Sequence, residues 1–384
     1  MMFSSSHFRA LFFLLLFFFS SIVAVIFSLV VLVSRTLPFP SFAMASSVDE
    51  TIMEQNREKP PAKTVKGVYL TAYSASREEK IKEIIALSDA TELNAVIIDI
   101  KDYSGSVLYE SSVPAVAALG TQKKRIHDLP ALISLLHEHN MYVIARQTVF
   151  QDPLLAEKKP EWAVQQIGGG VWRDHKGLAW VDPSVTDVWN YNIAIAKEAV
   201  SLGFDEINFD YVRFPSDGDI STAVYHDETR PSYDVMGDFF FFLGQEMAEE
   251  PAWISVDMFG FVMERHDGMN IGQRLEDAVD SVDYISPMMY PSHYPAGHLG
   301  LDNPAAFPGE VIAHGMEQGM PYVAGKRAKI RPWIQAFHLG AIYGAENIRA
   351  QIDAVETATD AGWLLWNAAN RYTDAGLKLE EVSL

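Results

Sequence analysis

The stretch of sequence that decides the fold lies at residues 203–215 and reads GFDEINFDYVRFP. Apolar and polar residues alternate through it, as they do in a strand whose two faces meet different surroundings. The apolar side chains share one face and the polar side chains share the other: Ile207, Phe209 and Tyr211 against Glu206, Asn208 and Asp210. An apolar face suits a covering layer of helices, so we expect the acidic face to point to the other side of the sheet.

Similar short apolar runs recur on both sides of this stretch, and helical patterns separate them. The expected strands are Gly67–Tyr73, Ala95–Asp102, Tyr142–Phe150, Glu206–Phe214, Trp253–Gly260, Tyr284–Tyr290, Ile330–Phe337 and Trp363–Asn367. The helical patterns include Arg77–Ala90, Leu129–His139, Val188–Leu202, Asp234–Glu249, Ile271–Ala278 and Ala345–Thr359. Eight strands alternating with helices predict an α/β fold, a single parallel (β/α)₈ TIM barrel. An open doubly wound sheet is the alternative, which the lack of a phosphate-binding glycine motif after the first strand disfavours.

The composition excludes several classes of function. The chain has 384 residues and no cysteine, which rules out thiolate metal sites, iron–sulfur clusters, thiol nucleophiles and disulfides. It carries 30 Lys and Arg against 50 Asp and Glu, a formal net charge of −20. Such a charge repels phosphate backbones, so no nucleic acid partner is expected. Acidic polymers are disfavoured for the same reason, unless a local basic site such as Lys101, Arg146 and Arg213 overrides the net charge.

The first 45 residues differ in composition from the rest. Ala10–Val33 is a nearly unbroken apolar run, long enough to cross a bilayer as a helix, whereas Ala43-Met44-Ala45 matches a signal-peptide cleavage site. Residues 1–45 are therefore interpreted either as a transmembrane anchor or as a signal segment cleaved near Ala45, with residues 46–64 as a polar linker and 65–377 as the barrel domain. Both interpretations place the barrel outside the cytoplasm, and an uncleaved segment would attach it to a membrane.

Polar side chains gather at the carboxyl ends of the expected strands, where TIM-barrel enzymes carry their active sites. Alternation places seven of them around one mouth: Asp99, Lys101, Arg146, Asp210, Asp257, Gln335 and Asn367. Asp210 and Asp257 lie on neighbouring strands at similar heights. Paired carboxyl groups are what glycosidic bond cleavage requires, one as a proton donor and one to attack or to activate water. The alternative is that each aspartate only forms an ion pair with a neighbouring Arg or Lys.

Aromatic residues indicate a sugar ligand. Four tryptophans lie within or next to residues 152–187, a segment longer than an ordinary loop: Trp162, Trp172, Trp180 and Trp189. Core packing is the alternative for each of them. In the last two strands, alternation predicts that Trp333 faces the barrel interior and that Trp366 faces the helices. The expected substrate-binding residues are Tyr73, Asp99, Lys101, Asp102, Arg146, Arg213, Tyr290, His293, Trp333, Gln335, Trp366 and Asn367.

Seven blocks of sequence resemble a bacterial family of predicted glycoside hydrolases, a domain family of unknown function with an expected TIM-barrel fold. The blocks are KGVYLTAYSA (66–75), NAVIIDIKDYSGSVLY (94–109), WVDPSVTDVWNYNIAIAKEA (180–199), GFDEINFDYVRFP (203–215), YISPMMYPSHY (284–294), IRPWIQAF (330–337) and GWLLWNAANRY (362–372). The block at 203–215 also looks like a strand of amylase-like barrel glycosidases. That resemblance implies that Asp210 is the nucleophile and Asp257 the acid/base, with Glu264 as an alternative donor because many such enzymes use glutamate.

These observations predict a glycoside hydrolase that acts with retention on a cell-envelope or extracellular polysaccharide or oligosaccharide. No cofactor is expected, and no metal, because His266, His298, His314 and His338 show no H-x-H or H-E-x-x-H spacing. Two alternatives remain at this stage. One is a non-catalytic cell-surface carbohydrate-binding protein that keeps the barrel, and the other is a metal-assisted barrel hydrolase with ligands from separate strands.

Overall fold

Eight parallel strand positions close into a barrel within residues 58–380, the part of the chain that the computed structural model describes. The first six strands are β1 (Val65–Leu70), β2 (Ala95–Lys101), β3 (Tyr142–Thr148), β4 (Glu206–Asp210), β5 (Trp253–Phe259) and β6 (Tyr284–Met289). β7 consists of two segments, Lys329–Ile330 and Trp333–Gln335, and β8 is Gly362–Trp366. β8 pairs with both β7 and β1, which closes the barrel. The predicted parallel eight-stranded barrel is confirmed.

Helices surround this barrel. They are α1 (Ala72–Ala75), α2 (Glu78–Ala90), α3 (Pro114–Leu119), α4 (Leu129–Glu138), α5 (Pro153–Lys158), α6 (Thr186–Ser201), α7 (Ser232–Glu246), α8 (Leu275–Ala278), α9 (Pro308–Val323) and α10 (Ala345–Ala358). The helix expected from Ile271 is shorter than predicted, because Gly272 has a left-handed φ of +82° that an α-helix cannot include. The sequence patterns also missed α9, whose Gly315 and Gly319 leave room for the side chains of Met289 in β6 and Met263 after β5.

The break in β7 has a covalent cause. Pro332 lies between the two segments and has no backbone N–H to donate to a neighbouring strand. Its carbonyl oxygen still accepts from Leu364 N at 2.9 Å, and Arg331 N donates to Ile285 O at 2.9 Å. The strand therefore keeps contact with both neighbours across the interruption.

Two separate apolar regions stabilise the fold. The larger one lies between strands and helices and includes Val68, Ile98 and Trp363. The smaller one fills the barrel interior: Val65, Tyr69, Ala95, Ile97, Tyr142, Ile144, Tyr290, Trp333 and Leu364, with Trp253, Met288, Phe337 and Trp366 partly buried beside them. Below the polar mouth, the interior also contains a fully buried ion pair between Glu206 and Arg331.

The segment after β8 is tied to the first strand. Asn370 Nδ2 and Tyr372 Oη both donate to Tyr69 O, at 3.0 and 2.9 Å. The predicted anchor or signal segment at residues 1–45, and the linker up to residue 57, lie outside the described residues. Within residues 58–380, no helix combines the length and the apolar character needed to cross a bilayer.

Candidate active site

Asp210 is the last residue of β4 and lies at the mouth of the barrel. The strand ends there because Tyr211 adopts a left-handed φ of +53°, which is unfavourable for a residue with a side chain. In that conformation Tyr211 N donates to Asp210 Oδ1 at 2.5 Å. Unfavourable backbone of this kind persists where surrounding contacts enforce it, and such positions cluster at functional sites.

Arg146 of β3 connects three carboxyl groups at the mouth. Its Nη1 donates to Asp99 Oδ1 at 2.6 Å, its Nη2 donates to Asp210 Oδ2, and its Nε lies 3.7 Å from Asp257 Oδ2. All four side chains are buried. Burial disfavours the charged guanidinium, but the negative charges of Asp210 and Asp99 outweigh burial and raise the pKa of Arg146 well above its usual range.

Asp257 of β5 lies in a different environment from Asp210. Its Oδ1 accepts hydrogen bonds from Trp333 Nε1 at 2.7 Å and from Asn208 Nδ2 at 2.9 Å. Burial and the nearby charge of Asp210 raise the pKa of Asp257 to about 8, although Arg146 opposes the shift. Asp257 is therefore mainly protonated at neutral pH. A protonated carboxyl group beside an ion-paired one is the combination that acid-assisted cleavage uses.

These side chains line a cavity of about 160 Å³ at the carboxyl ends of the strands. Its lining comprises Arg146, Asp210, Tyr211, Arg213, Asp257, Phe259, Met288, Tyr290, Trp333 and Trp366. Seven of the predicted site residues line this cavity: Asp210, Asp257, Arg146, Arg213, Tyr290, Trp333 and Trp366. Asp99 lies directly behind them through Arg146.

Trp366 faces the barrel interior, so the prediction that it faces the helices is wrong. Its ring stacks on Tyr69 with centroids 4.1 Å apart, and Arg146 Cζ lies 5.2 Å from the ring centroid. Trp363 packs on the helix side instead. All four residues after Gly362 in β8 are apolar, so the sequence pattern could not distinguish the two faces.

Trp333 faces inward as predicted, but it is almost completely buried. Its ring packs edge-on against that of Trp366, with ring centroids 5.5 Å apart, and its indole N–H donates to Asp257 Oδ1. The geometry therefore assigns Trp333 to holding the carboxyl group, whereas Trp366 is half-buried and presents surface to the cavity.

Lys101 does not share a face with Asp99, so the prediction that it lines the mouth is wrong. Asp99 pairs with Arg146 and Lys101 pairs with Gln147, so a step of two residues in β2 matches a step of one residue in β3. Such a β-bulge leaves Ile100 as the extra residue and turns the next side chain to the other side of the sheet.

The Lys101 side chain forms a buried pair on the helix side of the barrel. Its Nζ lies 2.7 Å from Asp152 Oδ2 and donates to Thr148 O at 2.7 Å. The ring of Tyr191, on α6, lies 5.9 Å away. Both members of the ion pair have no exposed surface, so they cannot touch a substrate in the cavity.

Gln335 and Asn367 are also absent from the cavity lining. Gln335 is fully buried, donates to Phe337 O at 2.9 Å and accepts from Ser292 N at 3.1 Å. Asn367 donates to Ala336 O at 2.6 Å. Their amide groups hold loops at the mouth, and the prediction that they bind substrate directly is not supported by their positions.

Asp102 and Tyr73 lie outside the cavity as well. Asp102 Oδ1 accepts from Ser104 N at 3.0 Å and from Ser104 Oγ at 2.6 Å, which stabilises the turn after β2. Tyr73 lies on α1 with 67% of its surface exposed. Neither residue is among those that contact the cavity.

Tyr290 and His293 flank the mouth after β6. Tyr290 is buried and lines the cavity, and burial raises the pKa of its hydroxyl well above the usual value. His293 has an exposed side chain at the rim, its ring lies 5.4 Å from that of Tyr290, and partial desolvation of the imidazole lowers its pKa. It is not part of the lining.

The tryptophans around residues 152–187 pack as core residues. Trp172, Trp180 and Trp189 are buried in the apolar region on the helix side, and Trp162 is partly buried against it. Trp180 reaches the site only indirectly, because its ring lies 4.9 Å from Arg213 Cζ. This segment is joined to the loop after β4 by a two-stranded ribbon, Gln165–Gln166 with Ala223–Val224.

Five residues at the site were not among the predicted set: Tyr211, Phe259 and Met288 line the cavity, and Tyr69 and Asn208 bind carboxyl groups of the site. Tyr69 Oη donates to Asp99 Oδ2 at 2.5 Å, and Asn208 holds Asp257. Alternation from Gly67 in β1 could have found Tyr69, because both fall on the inner face. Glu264, the alternative donor, points elsewhere: its carboxylate faces His298 at 3.6 Å and it does not line the cavity.

The chemistry of the site rests on carboxyl groups. Within residues 58–380, no group of three or more His, Asp or Glu side chains is arranged to hold a metal ion. The arrangement offers one ion-paired carboxylate, one protonated carboxyl group and a partly exposed indole around a cavity that Arg146 also lines.

The protein family described as "Putative glycosyl hydrolase domain" matches residues 67–372. Among solved structures, a hypothetical protein from Ruminiclostridium thermocellum ATCC 27405 is 38% identical over 50% of this chain and 96% of its own, with a TM-score of 0.46. The PgaB (BpsB) glycoside hydrolase domain from Bordetella bronchiseptica is 14% identical over 81% of this chain and 95% of its own, with a TM-score of 0.57.

TtGalA, an alpha-galactosidase from Thermus thermophilus, is 11% identical over 83% of this chain and 65% of its own, with a TM-score of 0.50. None of the curated proteins matches the sequence. At such low identity the last two structures establish a shared fold and nothing more specific. The family match extends from β1 to the segment that follows β8, and on that ground the chain belongs to the glycosyl hydrolase family of that description.

Proposed function

We propose that this glycoside hydrolase cleaves a cell-envelope or extracellular polysaccharide outside the cytoplasm, with Asp210 as nucleophile and Asp257 as acid and base. The observation that carries the proposal is the pair of unlike carboxyl groups in one cavity. Asp210 is ion-paired to Arg146, whereas the pKa of Asp257 is raised to about 8 by burial and by the charge of Asp210.

The contacts of Asp210 suit a nucleophile. Tyr211 N holds one carboxylate oxygen and Arg146 holds the other, so the carboxylate plane is fixed before substrate arrives. Fixed orientation of the attacking group lowers the barrier because little freedom remains to be lost. In the first step Asp210 bonds to the anomeric carbon, the bond to the leaving oxygen breaks, and that oxygen takes the proton of Asp257.

The second step uses the same groups in reverse. Water attacks the anomeric carbon and breaks its bond to Asp210, and Asp257 accepts the proton of that water.

Retention is supported by the strand register. Asn208 pairs with Ser255 and Phe209 with Val256, and the next residues along these two adjacent strands are Asp210 and Asp257. Neighbouring strands lie about 4.8 Å apart, which favours the carboxyl separation of about 5–5.5 Å found in retaining enzymes.

The test is cleavage of a glycan panel by the full chain, with detection of new reducing ends. We expect Asp210→Asn and Asp257→Asn each to lower kcat/KM by at least about a thousandfold, because each removes a reacting group. Asp302→Asn, at an exposed position away from the cavity, is the control and should retain activity. Thermal melts of all three variants report whether folding is intact.

The outcomes separate the alternatives. Full activity in both folded cavity variants would exclude these residues as catalysts. Glycan binding without any reducing ends, unchanged in both variants, would identify a carbohydrate-binding protein instead. Proton NMR of the first anomer released distinguishes retention from inversion before the product equilibrates.

A further inference from the structure

Arg213 is a buried cation without a carboxylate partner. Its side chain is only 7% exposed, and its Nη1 donates to Phe214 O at 3.0 Å and to Ser216 Oγ at 3.1 Å. Within the described part of the chain, no carboxylate oxygen lies within 4.0 Å of it, and its Nε and Nη2 donate no hydrogen bond. The other deeply buried arginines, Arg146 and Arg331, are both ion-paired. A buried guanidinium without a counter-ion is costly unless a ligand supplies one.

Aromatic rings hold this guanidinium in place. Its Cζ lies 4.8 Å from the ring centroid of Phe259, 4.9 Å from that of Trp180 and 5.3 Å from that of Tyr211. Cation–π contacts stabilise the charge and fix the plane of the group, but they leave its N–H edge free for hydrogen bonds. Burial still lowers the pKa of Arg213, although Tyr211 and nearby carboxylates partly oppose this.

Arg213 also lines the cavity that contains Asp210 and Asp257. Of the two arginines in the lining, Arg146 is paired with Asp99 and Asp210, whereas Arg213 has no carboxylate at contact distance. The Arg213 end of the cavity thus holds an unpaired positive charge in a chain whose net charge is −20. This local reversal of charge favours an anionic group at the Arg213 end of the cavity.

The carboxylates that face Arg213 from other elements do not neutralise it at contact distance. Asp210 has the largest effect of these carboxylates on the pKa of Arg213, but it is ion-paired to Arg146. Asp174 is hydrogen-bonded elsewhere: its Oδ1 accepts from two backbone N–H groups and its Oδ2 accepts from Trp180 Nε1 at 3.1 Å. Asp217 contributes only at longer range. The free N–H groups of Arg213 therefore remain available to an occupant of the cavity.

We propose that Arg213 binds an anionic substituent of the sugar in the cavity, a carboxylate or a sulfate or phosphate ester, so that the substrate is an acidic polysaccharide. The guanidinium fork matches the two oxygens of such a group and forms charge-assisted hydrogen bonds with it. This inference rests on the proposed function, because it specifies the substrate of the same site.

The test compares matched substrates. A uronic acid polysaccharide is assayed beside the same polymer after reduction of its carboxyl groups to alcohols, and a sulfated glycan is assayed beside its desulfated form. We expect wild-type kcat/KM to be about 10- to 100-fold higher for the acidic member of one pair, as charged hydrogen bonds allow. In Arg213→Gln that ratio should fall to about one.

Two further variants serve as controls for the effect of Arg213→Gln on this ratio. Arg213→Lys keeps the charge but loses the fork, so it should fold and show an intermediate ratio. Arg274→Gln, at an arginine that lies over the Tyr233 ring outside the cavity, should keep the wild-type ratio. Equal kcat/KM for both members of each pair in wild type would overturn the inference while leaving glycan hydrolysis intact.

Binding separates this inference from the proposed function. Saturation-transfer NMR with free glucuronate and glucose should show preferential binding of glucuronate to wild type and loss of that preference in Arg213→Gln. If no glycan is cleaved but the preference for glucuronate is found, hydrolysis is refuted and the anion site is supported. If glycans are cleaved but glucuronate binds no better than glucose, and neither acidic polysaccharide is preferred over its uncharged counterpart, the anion site is refuted.

Discussion

At the scale of single residues, Arg146 determines the electrostatics of the cavity, because one guanidinium contacts Asp99, Asp210 and Asp257. Alternation along the strands was sufficient to bring these side chains together from sequence. It could not tell that Asp210 takes the close ion pair while Asp257 becomes protonated. That difference depends on burial and on which oxygen each donor reaches, and neither is encoded in a spacing.

The hydrogen bond from Trp333 to Asp257 leads to a pH prediction. The indole N–H favours the ionised carboxylate and so lowers the pKa of Asp257, against the larger upward effect of burial. Asp257 must be protonated to act as an acid, so kcat/KM should decline above about pH 8. Trp333→Phe removes the donor, which should raise the pKa of Asp257 and move this decline to higher pH.

The pH dependence of kcat/KM measures this shift. Trp363→Phe is the matched control, because Trp363 is buried on the helix side of β8 and does not contact the carboxyl group. A decline at the wild-type pH in folded Trp333→Phe, or one displaced to lower pH, would contradict the assigned role of the indole.

At the scale of elements, the two-residue alternation predicted the faces of the side chains correctly in β4 and β5. It did not predict the face of Lys101 in β2 or of Trp366 in β8. In β2 the bulge at Ile100 turns the next side chain, that of Lys101, to the opposite face and away from the mouth. A bulge depends on pairing with the next strand, which a single sequence does not reveal. In β8 the residues on both faces are apolar, so no polar side chain marks the inner face. Trp363 and Trp366 are the same residue type but lie on opposite faces.

The Lys101–Asp152 pair behind β2 should be important for stability. Lys101→Met leaves the Asp152 carboxylate buried without its counter-ion, so the free energy of unfolding should fall by about 3–5 kcal/mol. Asp152 Oδ1 also accepts from Leu155 N at the start of α5. The double variant Lys101→Met/Asp152→Asn keeps an acceptor for that bond and removes the charge, so it should recover more than half of the loss.

Urea unfolding of the wild type and the two variants provides the measurement. Cavity chemistry should persist in the folded fraction of Lys101→Met, because neither residue of the pair lines the cavity. Loss of activity with unchanged stability would instead place Lys101 at the substrate.

At the scale of the whole molecule, the barrel follows from sequence because its eight strands and most of its helices are separately recognisable. The loops that complete the mouth do not follow in the same way. Gln335 and Asn367 were expected to bind substrate, yet backbone groups of neighbouring loops use their amides. Whether a polar side chain serves a ligand or its own chain depends on loop conformations that strand periodicity leaves undetermined.

The net charge of −20 and the unpaired Arg213 in the cavity predict an unusual response to salt. A surface of the same sign repels an acidic glycan over distances that salt screens, about 10 Å at 0.1 M, whereas the buried contact with Arg213 is screened much less. We expect kcat/KM for an acidic oligosaccharide to rise between 10 and 150 mM salt, because the Debye length shortens from about 30 Å to about 8 Å and the surface repulsion is screened. The neutral counterpart should show little change, and a fall for the acidic substrate would contradict the prediction.

Tyr69 and Trp366 stack on each other although they belong to the first and the last strand of the barrel. The segment after β8 adds hydrogen bonds to the same tyrosine, with Asn370 and Tyr69 separated by 301 positions in the sequence. A ribosome must therefore release almost the whole barrel before the cavity wall can form. Nascent chains that stop short of β8 should be unable to bind sugar, and the slow step of folding should be the meeting of the two terminal strands.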